Sequence, residues 1–221
     1  MTNSQTSSET LSARQQAIAP IAALAAAGDI SRLNTAINQG LDAGLTVNDA
    51  KEVLVQLYAY AGFPRSLNAL GQLMKEVEAR KQRGVQDVVG QEPARAIPTG
   101  DALLTAGTAN QTKLIGAPAK GPLFKFAPAA DQYLKAHLFG DIFERDNLDW
   151  QSRELATISM LAALQGVDSQ LQSHVSISMN IGITAPQLNE LAQVLADQVD
   201  AGAGTRVGEA IKRHLSTKTP K

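Results

Sequence analysis

The amino-acid sequence predicts an all-α protein made of two related helical repeats. Apolar residues recur at helical spacing along most of the 221 residues, and no segment has the alternating pattern of a β-strand. A segment that begins at Gly28 is repeated from Gly166, at a constant offset of 138 residues. The same offset places Gly44 on Gly182, so the duplication extends from one helix end to the next.

The composition is that of a globular protein with an aliphatic core. Hydrophobic residues make up 44% of the chain and aromatic residues only 4%, so alanine and aliphatic side chains must fill the interior. This set of side chains suits closely packed helices. The net charge is −1 and no basic stripe is present, so we expect no nucleic-acid partner. The absence of cysteine excludes disulfides and thiol chemistry in this chain.

No targeting or membrane signal is visible in the sequence. The first ten residues are polar and lack the apolar region of a secretory signal. No apolar run is long enough to cross a bilayer, so we expect no membrane partner. The expected compartment is therefore the cytoplasm, unless the chain is already processed.

The first repeat is predicted to span residues 12–84, after a disordered lead at 1–11. A helix over 12–27 ends near Gly28, and the next ends at Gly44, where a left-handed cap is favoured. Thr46 begins a Thr-x-x-acid capping box, and Gly62 with the following Phe-Pro breaks the helix that it opens. The last helix of the repeat is predicted to bury an apolar stripe that consists of Leu67, Leu70, Met74 and Val77.

Residues 85–127 are rich in proline and glycine and show little periodicity, which predicts a linker or a segment that wraps a neighbouring subunit. The second repeat is predicted over 128–217. Asp149 caps its long helix, and capping boxes are expected at 169–172 and 184–187.

Three segments carry a family resemblance. Residues 148–157, 166–174 and 180–184 read LDWQSRELAT, GVDSQLQSH and NIGIT. Together with YAYAGFP at 58–64, they resemble the carboxymuconolactone decarboxylase family, which also contains the AhpD-like alkylhydroperoxidase proteins. The resemblance covers nearly the whole chain apart from the lead and the proline-rich connection.

The resemblance implies an AhpD-like helical bundle that self-associates, usually as a trimer or a hexamer-like ring. It implies two chemistries. The thiol peroxidase branch uses two cysteines, whose positions fall here on Val167 and Gln170, so that activity is disfavoured. The decarboxylase branch removes CO2 from a small anionic carboxylated lactone of aromatic catabolism, with no metal or organic cofactor.

Two residues are the candidate catalytic groups. His174 can donate a proton near neutral pH, and its counterpart in the first repeat is Ala36. Glu154, whose counterpart at offset 139 is Gln15, would set the protonation state of the histidine. The alternatives are a structural histidine and an ion-paired carboxylate near a helix start. A simple hairpin about Val167 would set His174 opposite residue 160, and thus away from Glu154.

Four further residues are candidates for substrate binding. Tyr60 could donate to a lactone oxygen, and Arg65 or Arg153 could hold a carboxylate. His137 could lie near the same pocket. For Tyr60 and Arg65 the alternative is a turn packed by Phe63, and for His137 it is a structural role. The three histidines are scattered, so we expect no metal site.

The sequence thus favours a decarboxylase-like enzyme in which His174 from one repeat and the Tyr60 loop from the other form one pocket. A non-catalytic oligomeric binding protein, or an isomerase or hydrolase of a related substrate, remains the alternative because a fold does not fix chemistry.

Overall fold

The structure, a computed structural model, describes residues 9–218. Within this range it contains eleven α-helices and one π-helical segment, and no β-strand. The first four helices form one repeat and the last four form the other. Their bounds are α1 Ala13–Ala27, α2 Ile30–Asp42, α3 Val47–Gln56, α4 Tyr58–Gln82, α8 Trp150–Ala163, α9 Asp168–Asn180, α10 Ala185–Gln198 and α11 Ala201–Lys218. Between α4 and α8 lie α5 Gly100–Ile115, α6 Pro122–Phe126, α7 Pro128–Tyr133 and the π-helix Leu134–Ile142, of which the last two fall within the predicted bounds of the second repeat, 128–217.

The helix positions follow the duplication seen in the sequence. Helices α2 and α9 begin at residues 30 and 168, and α3 and α10 begin at 47 and 185, so both pairs are 138 residues apart. Gly28 and Gly166, which precede α2 and α9, both have positive φ. The first helices begin at 13 and 150, which is an offset of 137. The counterpart of Glu154 is therefore Ala17 rather than Gln15, and the acid is absent in either alignment.

The centre of the molecule is the pair α1 and α8, which pack against each other. Residues 18–26 of α1 and 152–162 of α8 are buried without interruption. A helix that is buried on all sides cannot be amphipathic, and the many alanines of α1 allow its neighbours to approach closely. Helices α2 and α10 also pack on α1, and α9 and α11 pack on α8. The interior of α8 is therefore where a polar side chain would be enclosed.

Most predicted helix starts are present. Ser12, Thr46, Asp149 and Thr184 each accept a hydrogen bond from the third residue of the helix that follows. The predicted capping box at 169–172 is wrong. Gly166 turns the chain with φ 77°, which makes Val167 the cap and puts residue 169 inside α9. The hydroxyl of Ser169 instead bonds the Gln170 side chain at 2.9 Å.

The predicted buried face of α4 is only half right, because Leu70 and Val77 pack against the core but the other two residues do not. Leu67 and Met74 are 62% and 69% exposed, and the inward face carries Ser66, Ala69, Leu73 and Arg80. Polar contacts fix this rotation, because the Ser66 hydroxyl donates to the Leu54 carbonyl at 2.7 Å. Gly62, with φ 81°, breaks the helix as predicted. An apolar stripe therefore stays on the surface of α4.

The proline-rich connection is not a plain linker, because it contains α5. This helix packs against the π-helix and α9. Gly107 lies against the backbone of the π-helix so closely that a Cβ there would be 1.8 Å from the Lys135 carbonyl oxygen. The sequence did not predict α5 because its apolar period is weak. Among residues 9–218, no helix has the length and apolarity needed to span a bilayer.

Candidate active site

The side chains of Glu154 and His174 meet between α8 and α9. The His174 Nδ1 and the Glu154 Oε2 are 2.7 Å apart, at hydrogen-bond distance. Glu154 is fully buried and His174 is 8% exposed. The second carboxylate oxygen, Oε1, is buried and has no hydrogen-bond partner among the described residues. The two candidate catalytic groups therefore form one enclosed acid–base pair.

The expectation that these residues lie apart was wrong because it treated the helix pair as a symmetrical hairpin. Helix α8 ends at Ala163 and α9 begins at Asp168. Glu154 lies nine residues before the end of α8, and His174 lies six residues after the start of α9. The two positions are therefore offset by three residues, which is roughly 4.5 Å along a helix axis. A glutamate and a histidine side chain can span that distance.

Tyr60 brings the first repeat into the site. Its ring lies edge-on to the His174 imidazole, with 5.7 Å between the ring centroids. Burial raises the pKa of the Tyr60 phenol, and the nearby Glu154 carboxylate raises it further. Tyr60 is therefore protonated at neutral pH and able to act as a hydrogen-bond donor. Its segment lies between the end of α3 and the Gly62 break, which holds the ring against the second repeat.

Two polar residues that the sequence analysis missed lie behind Tyr60. The Thr157 Oγ1 is 3.2 Å from the Tyr60 hydroxyl. The Gln56 side chain is fully buried and donates from Nε2 to the Thr157 Oγ1 at 2.7 Å and to the Arg153 carbonyl at 3.0 Å. The sequence signal that could have identified Gln56 and Thr157 is a polar residue on the apolar, inward face of a helix, α3 for the first and α8 for the second.

Arg153 is enclosed in an ion network. Its Nη2 donates to Glu52 at 3.0 Å and to the Arg145 carbonyl at 3.0 Å, and its Nη1 is 3.4 Å from the Gln56 Oε1. The side chain is 0% exposed. These contacts leave the prediction that Arg153 holds a substrate carboxylate without support, because the guanidinium is already committed inside the protein.

Glu52, also missed from the sequence, balances this charge. Arg145 binds its carboxylate with two hydrogen bonds, at 2.8 and 2.6 Å. Burial by itself would raise the pKa of Glu52, but the hydrogen bond from Arg145 and the charge of Arg153 outweigh it and lower that pKa. Burial also lowers the pKa of Arg153, although Glu52 opposes this effect.

Arg65 lies at the end of α1. Its Nη1 donates to the Ala26 carbonyl, just as Arg206 donates to the Ala162 carbonyl near the end of α8. An arginine at a helix C-terminus satisfies a carbonyl that has no helical partner and interacts favourably with the helix dipole. The structure does not join Arg65 to the Glu154–His174 pair through any contact in the described residues, so its predicted role in substrate binding also lacks support.

His137 lies in the π-helix, at a more exposed place. Its Nε2 is hydrogen-bonded to the Tyr58 hydroxyl, and its Nδ1 is 2.5 Å from the Asp141 Oδ2. The side chain is 53% exposed. His137 contacts neither His174 nor Glu154, but Tyr58 is two residues from Tyr60 and both tyrosines pack on one apolar cluster. The structure thus places His137 beside the site rather than in it.

The corresponding place in the other half lacks acid–base groups. At the offset of 138, His174 corresponds to Ala36 and Tyr60 corresponds to Gln198. Both residues line a cavity of about 270 Å³ beside α1 and α2. In residues 9–218, no group of three or more histidine and acidic side chains could hold a metal ion. The pairing of a carboxylate with a histidine therefore occurs at one of the two related places, whereas the cavity at the other is lined by Arg32, Thr35 and Gln39.

Comparisons with known proteins agree with the duplicated architecture. The model of the carboxymuconolactone decarboxylase family matches the chain in two regions, residues 2–74 and 128–212. The first match contains Tyr60 and the second contains Glu154 and His174. A comparison with curated proteins gives no match. Because the two matched regions cover well over half of its length, the chain belongs to the carboxymuconolactone decarboxylase family.

Proposed function

We propose that the protein catalyses a cofactor-independent decarboxylation, or a related proton transfer, on a small carboxylated lactone. The observation that supports it is the buried Glu154–His174 pair, against which the Tyr60 ring packs. Enclosure strengthens the electrostatic interactions of such a pair, and histidine is the side chain best suited to proton transfer near neutral pH.

The pair defines which atom would exchange the proton. An ionised Glu154 accepts a hydrogen bond, so the His174 Nδ1 carries the donated hydrogen. The Nε2 then exchanges the proton with the substrate, and the carboxylate stabilises the imidazolium form. The Nε2 has no hydrogen-bond partner among the described residues, which leaves it available.

The reaction would proceed in two steps. The bond to the carboxyl carbon breaks, CO2 leaves, and the electron pair passes into the ring towards the lactone carbonyl oxygen. The imidazolium form of His174, protonated on both nitrogens, then gives its Nε2 proton to a ring carbon, and the neutral imidazole regains a proton from solvent. Tyr60 would stabilise the negative oxygen that forms between these steps, because a donor directed at developing charge lowers the barrier.

The substrate carboxylate requires a cationic partner. Arg153 and Arg65 are engaged elsewhere, and both ring nitrogens of His137 are bonded, to Tyr58 and to Asp141. We keep His137 as the proposed partner because it is 53% exposed and Tyr58 connects it to the segment that carries Tyr60. A substrate carboxylate would have to displace Asp141 from the imidazole to bind there.

The test is consumption of 4-carboxymuconolactone by the purified protein, followed by the loss of its ultraviolet absorbance. We expect turnover by the unmodified protein and a loss of about 10²- to 10⁴-fold in His174→Ala and Glu154→Gln. Glu209→Gln is the matched control for the glutamate change, because Glu209 forms only an exposed pair with Arg213. Binding without turnover, measured by calorimetry, would contradict the proposal and favour a non-catalytic binding protein.

We also propose that the protein self-associates through the surface of α4. Phe63, Leu67 and Met74 are 59%, 62% and 69% exposed and lie at helical spacing on one side of this helix. A row of exposed apolar side chains is typical of an interface. The partner proposed here is a second copy of the chain, which is the assembly that the family resemblance implies.

A further inference from the structure

The hydrogen bonds behind Tyr60 have a direction. We infer that Gln56 and Thr157 are positioning residues, which form with Arg153 a one-way chain of donors that aims the Tyr60 hydroxyl proton at the substrate oxygen. This inference rests on the proposed function and deepens it, because it assigns the origin of the proton-donor role of Tyr60.

The chain begins at Arg153, which can only donate. Its Nη1 is 3.4 Å from the Gln56 Oε1, so that the oxygen of the Gln56 amide must face the guanidinium. The amide NH2 group is thereby directed the other way. Its two hydrogens have two acceptors, the Arg153 carbonyl at 3.0 Å and the Thr157 Oγ1 at 2.7 Å.

The next step concerns the single proton of Thr157. The Thr157 oxygen already accepts from Gln56, and it lies 2.9 Å from the Arg153 carbonyl and 3.2 Å from the Tyr60 hydroxyl. Because the Arg153 carbonyl already receives a hydrogen from Gln56, the acceptor left for the Thr157 hydroxyl is the Tyr60 oxygen.

Tyr60 is the end of the chain. A phenol that accepts from Thr157 keeps its own hydrogen for another acceptor, and its ring contact with His174 places it at the site. Successive hydrogen bonds polarise one another in a low-dielectric interior. The charge of Arg153 would thus strengthen Tyr60 as a donor to the oxygen that becomes negative.

The duplication provides an independent observation. At the offset of 138, Gln56 corresponds to Val194. In α1, the turn that corresponds to Thr157 carries Ile18, Ala19 and Pro20. The related place beside Ala36, formed by α1, α2 and α10, thus lacks both polar links, and apolar residues fill the corresponding positions. Gln56 and Thr157 are therefore found together at the place that contains His174 and not at its counterpart.

Gln56→Glu is the sharpest test, because it reverses the direction without changing the shape. The introduced carboxylate still accepts a hydrogen bond from Arg153, but it also accepts one from the Thr157 hydroxyl instead of donating one to it. Tyr60 must then donate to Thr157, and no proton is left for the substrate. We expect kcat to fall by about 10²-fold with KM little changed, as for the loss of one oxyanion donor.

Two variants of Thr157 separate its hydroxyl from its shape. Thr157→Ser keeps the link and should retain most of kcat, whereas Thr157→Val should lose about as much as Gln56→Glu. Ser159→Ala is the matched control. Ser159 is another buried hydroxyl of α8, which donates to the Leu155 carbonyl at 2.7 Å outside this chain of bonds. Equal kcat losses in Thr157→Val and Ser159→Ala would overturn the inference.

A measurement without substrate keeps the inference separate from the proposed function. Neutron diffraction from deuterium-exchanged crystals locates the hydrogens of Gln56, Thr157 and Tyr60 directly. We expect the Thr157 deuterium on the line to the Tyr60 oxygen. A deuterium on the line to the Arg153 carbonyl would overturn the donor chain, whether or not the protein consumes the lactone. The expected deuterium position in a protein without lactone turnover would overturn only the proposed function.

Discussion

The His174 Nδ1 lies at hydrogen-bond distance from the Glu154 Oε2, 2.7 Å away, across the boundary between α8 and α9. Helix α8 is the most enclosed helix of its repeat, so this carboxylate has no contact with bulk water. A buried carboxylate requires a partner because its isolated charge is costly to desolvate. The same enclosure that makes the pair necessary makes it suited to proton transfer.

We expect the two groups to act as a unit. His174→Ala, Glu154→Gln and the double variant should each lose activity on the lactone, and the double variant should lose little more than His174→Ala, because Glu154 acts through the imidazole. Steady-state kinetics of the four proteins tests this. Losses that multiply would show two independent roles.

Glu52→Gln should destabilise the protein by about 3 kcal/mol, because it leaves the enclosed Arg153 without a counter-charge. Glu190 occupies the corresponding position in the second repeat and accepts from neutral donors, the Leu11 N–H and the Gln16 amide. Glu190→Gln should therefore cost less. Urea unfolding of both variants provides the comparison, and equal losses would contradict the assigned role of the ion network.

The low pKa of Glu52 gives a pH dependence with a definite sign. Because its pKa in the folded protein lies below the ordinary value of 4.5, folding favours the ionised form. The resulting stability is present above the unfolded-state pKa and is lost as the pH falls through the folded-state pKa. The difference in unfolding free energy between the unmodified protein and Glu52→Gln should shrink below about pH 4.5. A difference that grows on acidification would contradict this sign.

The proposed self-association predicts the effect of a charge on α4. Leu67→Glu should shift the protein towards the monomer in sedimentation velocity, because a buried, unpaired carboxylate would weaken the interface. Asn68→Glu adds the same charge at the next, also exposed, position and should leave the assembly unchanged. Dissociation of both variants would point to general charge repulsion instead of the stripe.

The close contact between α5 and the π-helix predicts a difference between two glycines. Gly107→Ala should destabilise the protein by about 1–3 kcal/mol, since its Cβ would overlap the Lys135 carbonyl. Gly71, inside α4, has open space where a Cβ would lie. Gly71→Ala should be neutral or stabilising by up to about 1 kcal/mol, as alanine favours helix. Thermal unfolding distinguishes these outcomes, and a neutral Gly107→Ala would refute the contact.

The apolar spacing, the caps and the constant offset were enough to predict the two helical repeats. These signals are local, since a cap such as Thr46 bonds a residue three positions away. The orientation of α4 could not be predicted in this way, because its surface is as apolar as its buried face. Only the bonds of Ser66 and Arg80 to neighbouring segments decide which face is turned inward.

The residue types at the site were determined by the sequence, which singled out His174, Glu154 and Tyr60. Their meeting was decided by the tertiary structure. The position of Tyr60 against His174 depends on packing between repeats, and that of Glu154 on where α8 ends and α9 begins. The roles of Glu52, Gln56 and Thr157 could be recognised only from the tertiary structure. The hydrogen bonds that define these roles join residues about a hundred positions apart in the sequence.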